Sequence, residues 1–294
     1  MRSGWRLLAW LLAAGLAEGA LVTGLAILAG VSPSTRDLPA TLTLLLSSVG
    51  LLPAVGLSWL FARLFDGEGL ADLGLGGGIA HALRELSIGA AIGGLLIVTA
   101  LVLFMGVGTA TMARGSAGAG SLTLGALGLL AAAAKEELWF RGFPFQSFVR
   151  AIGPEASMIL FGLFFGLAHL TNAHVSWIGF ANDAFAGVLL SLALFSRRNL
   201  WFPIGLHFAW NFTQGIVLGI PVSGNAGFPS LVTTTLKGAD YWTGGEFGIE
   251  GSLCGLAAVL IGVAVLFAGF RSAAPFPAPR RARGSDVAAI PPAA

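Results

Sequence analysis

The stretch LGALGLLAAAAKEELWFR, Leu124 to Arg141, opens with a run that has no polar side chain and closes on Lys135, Glu136, Glu137 and Arg141. A helix facing lipid would not tolerate that ending. Insertion scales put a central Lys, Arg or acid at roughly +2.5 to +3.5 kcal/mol each, so the four together would cost on the order of 10 kcal/mol. The charges must therefore face protein, and a polar pocket inside an apolar bundle accommodates both halves of the stretch.

Composition supports a membrane setting. Hydrophobic residues make up 56% of the chain, charged residues 10%, and the mean hydropathy is +0.85, whereas a soluble domain carries about 25% charged residues. A helix needs about 20 residues to cross a hydrocarbon core. On that basis eight spans are expected, at 7–30, 40–65, 86–107, 121–140, 156–170, 178–195, 200–220 and 249–270. The first resembles a secretory signal at its start, with Arg2 and Arg6 before an apolar run. Its apolar character continues to Ala29, which is long enough to span, so a signal anchor fits better. The fold class is all-α and polytopic. Residues 1–120 hold about three leading helices, 121–220 a core of about four, 221–270 a loop and the last helix, and 271–294 a Pro-, Ala- and Arg-rich tail expected to be disordered.

With eight spans, one side of the membrane collects Arg2, Arg6, Arg63, Arg84, Arg141, Arg150, Arg197, Arg198 and the tail arginines, and the other only Arg36, Arg114 and Lys237. The first side is expected to be cytoplasmic, with both termini on it. Adding or removing one span after the third would scatter the arginines and erase the bias. The net charge of +2 thus reflects loop placement, and no nucleic-acid partner is expected. The single cysteine, Cys254, lies in the last span and reads as a packing residue. The preference for Arg over Lys, with much Ala and Gly, points to a bacterial cytoplasmic membrane.

The chemistry concentrates in three spans. Glu137 and Arg141 are four apart and share a helical face, so they pair, while Glu136 points about a third of a turn away. Two adjacent carboxylates thus meet different environments. In the fifth span His169 follows Phe165 by one turn, and in the seventh His207 and Asn211 share a face. An acid, two imidazoles and a carboxamide suffice to hydrolyse an amide. Glu136, helped by His169, would deprotonate water, and His207 with Asn211 would donate to the oxyanion. The same atoms suit a metal: one Glu and two His, here Glu136, His169 and His207, are the protein ligands of many catalytic zinc sites. The chain has no H-E-x-x-H motif, the usual helical zinc-protease signal.

Glu136-Glu137-x-x-x-Arg141, Phe165-x-x-x-His169 and His207-x-x-x-Asn211 stand in order on three of the four successive spans from the fourth to the seventh. In these three motifs the chain resembles the membrane-embedded CAAX-protease and bacteriocin-processing family, which includes the type II CAAX prenyl endopeptidases. The similarity extends over roughly residues 131–220, and more loosely to Thr243-Gly244-Gly245-Glu246-Phe247-Gly248. The resemblance implies an intramembrane endopeptidase acting on a membrane-associated protein or peptide. It also implies that Glu136 and His169 activate water and that His207 and Asn211 hold the oxyanion. Glu137, Arg141 and Phe165 would support them. Members are variously regarded as metalloproteases and as glutamate proteases, so a divalent metal such as zinc stays open.

Other residues carry plainer expectations. Glu18, alone in the first span, would find a Ser, Thr or backbone partner. His174 would face solvent or cap a helix, and Asn182 and Asp183 would pack or cap beside the pocket. Trp139, Trp177, Trp201 and Trp242 read as interfacial anchors. The Gly-rich stretches 74–78 and 106–120 read as loops. The pocket is expected to open toward the cytoplasmic half, although His169 then lies near the outer end of its helix and that helix must be short or tilted to meet Glu136. The alternatives are a non-catalytic scaffold or bacteriocin-immunity-type protein of the same fold, and a small-solute transporter, the latter disfavoured because the charge sits in one cluster.

Overall fold

The structure, a computed structural model, describes residues 2–28, 30, 48–115 and 117–270. Arg36, the first part of the second expected span and the tail from 271 lie outside the described residues. Ten helices are traced among the described residues, with several wide or tight turns: α1 (Arg2–Leu28), α2 (Leu51–Phe61), α3 (Gly78–Met105), α4 (Ala119–Arg141), α5 (Phe143–Ile152), α6 (Pro154–His169), α7 (Trp177–Arg197), α8 (Trp201–Phe212), α9 (Asp240–Thr243) and α10 (Leu253–Phe270). The chain is an all-α membrane protein, and each expected span coincides with a helix or, for the second, with its described part. Four segments are long and apolar enough to cross a bilayer unaided: Gly4–Leu28, Ala71–Met105, Trp177–Arg197 and Leu253–Phe270. The count of eight crossings does not follow from length and apolarity alone. Helix α4 carries the charged cluster, α6 has only 16 residues, and α8 has 12 before it widens into the turn Thr213–Val217.

Two elements differ from the sequence expectations. Helix α5 was not anticipated; it starts beside Gly142 with Pro144 in its first turn, buries Phe143, Phe145, Gln146 and Val149, and carries Arg150 in its last turn. It is too short to cross a bilayer, and its strongly one-sided pattern is that of a helix lying along the bundle end. The stretch 106–120, expected as loop, contains β1 (Thr109–Arg114), which pairs antiparallel with β2 (Val232–Lys237) from Thr109↔Lys237 to Arg114↔Val232. Threonine and valine at alternate positions favour the extended backbone once a partner strand is present.

Glycines let the central helices touch. A Cβ on Gly89 or Gly93 of α3 would lie 2.1 Å from the carbonyl oxygen of Phe202 or Leu206 on α8, and one on Gly205 would lie 2.2 Å from that of Leu86. Helices α6 and α7 cross in the same way, a Cβ on Gly187 meeting Gly162 Cα at 2.7 Å and Phe165 Cβ at 3.0 Å. In lipid, where no hydrophobic force draws helices together, this backbone proximity supplies the packing attraction. Around these crossings the core gathers Ile97, Phe104, Phe165, Leu189, Phe202 and Leu206, with Ala258 and Val259 of α10 closing one side.

The helix ends sort into two groups. At one end Asp66 binds Arg150 at 2.6 Å and Arg6 at 3.2 Å, and Glu85 accepts two hydrogen bonds from Arg197, at 2.8 and 2.7 Å. Backbone contacts join the same end: Leu200 N–H donates to Gly74 O at 2.9 Å, Trp201 Nε1–H to Gly76 O at 3.2 Å, and Gln146 to Leu73 O at 2.9 Å. Gly74, with φ of 99°, turns the chain there in a conformation a side chain rarely adopts. The two-stranded ribbon, carrying Arg114 and Lys237, sits at the opposite end, between α3 and α4 and after α8. Trp177 is 83% exposed, as an interfacial anchor would be, whereas Trp139 packs edge-on against the buried Trp10 with ring centres 5.1 Å apart.

Candidate active site

Helix α4 presents Glu136 and Glu137 about 100° apart around its axis, and the two meet different surroundings, as expected. Glu137 is fully buried. Its Oε1 accepts from Arg141 Nη1 at 3.2 Å and from His207 Nδ1 at 2.9 Å. Arg141, also fully buried, donates through Nη2 to Gly187 O at 2.8 Å and lays its guanidinium over the Phe165 ring at 4.7 Å. The close crossing of α6 and α7 at Gly162 and Gly187 is what brings that carbonyl and that ring to Arg141. The cost of burying the ion pair is offset in part by hydrogen bonds on both partners and by the aromatic face, while Glu137 Oε2 and Arg141 Nε are buried without a hydrogen-bond partner among the described residues.

Glu136 retains 29% side-chain exposure, and its Oε2 stands 3.7 Å from His207 Nε2. That is too long for a direct hydrogen bond, so both atoms are available to a third group. His207 thus has its two ring nitrogens assigned by geometry: Nδ1–H donates to the Glu137 carboxylate, and Nε2 faces Glu136. His169 is oriented by its own helix, with Nδ1–H donating to Phe165 O at 2.8 Å and leaving Nε2 for other partners. Phe165 links the motifs physically, its ring centre lying 4.6 Å from that of His169 and 5.9 Å from that of His207. Glu136 feels the charges of His207, His169, Lys135 and Arg141 together.

Glu136, His169, His207 and Asn211 line one cavity of about 890 Å³. Helix α6 has only 16 residues, as the expected meeting of His169 with Glu136 required, and its final residue, His169, lines the same cavity as Glu136 and acts on it electrostatically. The same shortness alters the cavity. Its lining continues to residues 172–174 and 222–228, which follow the ends of α6 and α8 remote from the arginine cluster, so it is not confined to the arginine-rich half as expected.

The residues proposed as metal ligands fit less well. Among the described residues, no three His, Cys, Asp or Glu side chains are grouped to hold a metal ion. Glu136 Oε2 and His207 Nε2 face each other at 3.7 Å from α4 and α8, but Glu136, His169 and His207 do not form such a group. No step below is routed through a metal.

Other expectations need correction. Glu18 does not rely on a Ser, Thr or backbone partner; Lys135 Nζ lies 2.9 Å from its Oε1, and both residues line the cavity. His174 is half-exposed, in keeping with the solvent-facing position expected, and in addition pairs with Glu246 at 3.0 Å and touches the cavity. Asn182 and Asp183 are buried cavity residues. Glu250 escaped notice entirely. It lines the cavity, accepting from Trp210 Nε1–H at 3.1 Å and from the Ser223 hydroxyl at 2.9 Å. Its one signal in the sequence was an acid standing just before the last apolar run.

Residues 118–213 match the family model described as type II CAAX prenyl endopeptidase Rce1-like. The matched segment holds all three motifs and the helices that carry Glu136, His169, His207 and Asn211. No curated protein and no solved structure gives a significant match. Over residues 118–213, which hold the charged cluster and both histidine motifs, the chain is similar to the Rce1-like family of type II CAAX prenyl endopeptidases.

Proposed function

We propose that the chain is an intramembrane endopeptidase that cuts a peptide bond of a membrane-associated protein or peptide, with Glu136 as the general base. Water held between Glu136 Oε2 and His169 Nε2 gives its proton to Glu136 as its oxygen adds to the peptide carbonyl carbon. The carbonyl oxygen becomes an oxyanion, stabilised by donors from His207 Nε2–H and the Asn211 carboxamide. Glu136 then passes the proton to the departing amine nitrogen as the C–N bond breaks, leaving a carboxylic acid and a free amine.

Charge balance supports this division of labour. Two carboxylates, Glu136 and Glu137, share the site with Arg141, and an imidazolium at His207 makes the group of four neutral. An imidazolium also carries the Nε2–H that an oxyanion donor requires, while Glu137 holds the ring through Nδ1. Glu137, Arg141 and Phe165 are positioning residues in this scheme. The observation that carries the reading is a single cavity into which three helices deliver the acid, both histidines and the carboxamide.

The arginine-rich end is assigned to the cytoplasm by the positive-inside bias, so a membrane-tethered substrate would reach the cavity from within the bilayer. The test is product formation from membrane-anchored peptides by the full chain in liposomes. Glu136→Gln and His207→Ala are each expected to lower the rate by about 10²- to 10⁴-fold without loss of inserted protein. Undiminished cleavage by Glu136→Gln would overturn the assignment.

A further inference from the structure

The cavity holds a second acidic pair that the hydrolytic scheme leaves unused. Asp183 of α7 and Glu250, in the turn before α10, are 4% and 5% exposed, and both line it. Among the described residues neither forms an ion pair with a lysine or arginine. Of the basic residues of α4, Arg141 is committed to Glu137 and Lys135 to Glu18, and the basic group that acts on Glu250 is the imidazole of His169. Glu250 is held rigidly by Trp210 and by both the backbone N–H and hydroxyl of Ser223.

Among the described residues, one oxygen of this pair and one of the neighbouring Asn182 have no donor. Asn182, 1% exposed, has its Oδ1 buried with no hydrogen-bond partner, and so has Asp183 its Oδ2. Buried acceptors are nearly always satisfied in a folded protein, and unpaired buried carboxylates are costly. Acceptors on a cavity wall that the protein does not satisfy mark where a ligand brings donors. The pattern is one-sided: carboxylates and an amide oxygen, with no lysine or arginine among the described residues paired to them and only the His169 imidazole acting on Glu250. A neutral amide would satisfy an oxygen or two, but only a positively charged donor also offsets the carboxylates.

We propose that Asp183, Glu250 and Asn182 form a specificity subsite for a cationic nitrogen of the substrate, either the side chain of a lysine or arginine or a free amino terminus. This rests on the endopeptidase reading, since the subsite would fix which bond is presented to Glu136. The subsite and the Glu136 centre share one cavity of about 890 Å³, a size that accommodates several side chains of a peptide. Asp183 interacts electrostatically with both Glu250 and Glu136, so a cation bound there also lessens the repulsion among the three acids.

The test uses the detergent-purified full chain and three apolar C-amidated octapeptides: one N-acetylated with a central lysine, one N-acetylated with norleucine in its place, and one with norleucine and a free amino terminus. Binding is read from the shift in thermal unfolding midpoint with peptide concentration. At least one cationic peptide is expected to bind about tenfold tighter than the neutral one, and which of the two does so identifies the source of the nitrogen. Asp183→Asn and Glu250→Gln, which preserve side-chain shape, are each expected to shrink that preference to less than about threefold. Equal binding of all three peptides, or a preference unchanged in both variants, would overturn the subsite. Cleavage is scored separately. A chain that prefers the cationic peptide but cuts no membrane-anchored peptide in liposomes would remove the endopeptidase reading and keep the cation site; one that cuts them but binds all three octapeptides equally would do the reverse.

Discussion

His207 Nδ1 lies 2.9 Å from Glu137 Oε1, the same oxygen that Arg141 Nη1 reaches at 3.2 Å. One carboxylate oxygen therefore joins the first and third motifs, and the Arg141 stacking on Phe165 draws in the second. Glu137→Gln leaves an acceptor but removes the charge that favours the imidazolium, so kcat should fall by about 10²- to 10⁴-fold with KM nearly unchanged. Arg141→Met should act differently, because it strands the Glu137 carboxylate in the core. The expected cost is about 3–5 kcal/mol of stability, read as loss of inserted protein and a lower thermal midpoint. If Glu137→Gln changed KM alone, its role in orienting His207 would be wrong.

The glycine crossings give a stability prediction with an internal control. A Cβ on Gly93 would sit 2.1 Å from Leu206 O, next to His207, and backbone cannot yield as a flexible side chain can. Gly93→Ala should force α3 and α8 apart, costing on the order of 1–3 kcal/mol and displacing His207. Gly56 of α2 has nothing within 4 Å of the same position, so Gly56→Ala should be neutral or stabilise by up to about 1 kcal/mol through helix propensity. Thermal unfolding of the two variants in the same detergent compares them directly, and equal midpoints would contradict the packing argument.

What could be read from the sequence followed from periodicity and from the cost of charge in lipid. Glu137 and Arg141 had to pair because their spacing permits it and hydrocarbon forbids their separation, and so they do. That Glu136, His169 and His207 line one cavity from three helices was readable only through the motif resemblance, since no local pattern encodes which helices are neighbours. Helix α5 was missed because its ten residues fall below the length that marks a span. The β1–β2 ribbon was missed because its strands stand more than a hundred residues apart, and each is extended only when paired with the other. Glu250 was hidden for a related reason: the Trp210 and Ser223 contacts that bury it come from distant segments.

The Glu18–Lys135 pair ties α1 to the charged end of α4 at a place where both side chains are only 16–21% exposed. Gly50 is pressed against it, a Cβ there falling 2.6 Å from Glu18 Oε1. Removing one partner leaves a poorly solvated charge, so Glu18→Leu and Lys135→Met should each destabilise more than the double variant does. A double-mutant cycle on thermal stability is expected to return a coupling of about 1 kcal/mol or more. Strict additivity would mean that α1 is held by its Trp10 contacts with Trp139 and not by this pair.

Glu250, in the turn preceding α10, should make stability fall as pH rises. Burial pushes its carboxyl above the ordinary value of 4.5, against the opposing hydrogen bonds from Ser223 and Trp210. Between the unfolded value and the raised folded value, the folded chain binds more protons than the unfolded one, so the pH slope of unfolding free energy is negative. The loss begins near pH 4.5 and levels off once pH exceeds the folded value. Glu250→Gln cannot titrate, and its thermal midpoint should fall less than wild type over that window. A bound cationic peptide should flatten the wild-type profile as well, because a positive charge beside Glu250 favours the ionised form and brings the folded value back toward the unfolded one. Midpoints measured from pH 4 to pH 8, with and without the lysine octapeptide, would show both effects. A variant profile parallel to that of the wild type would mean that some other group governs the slope.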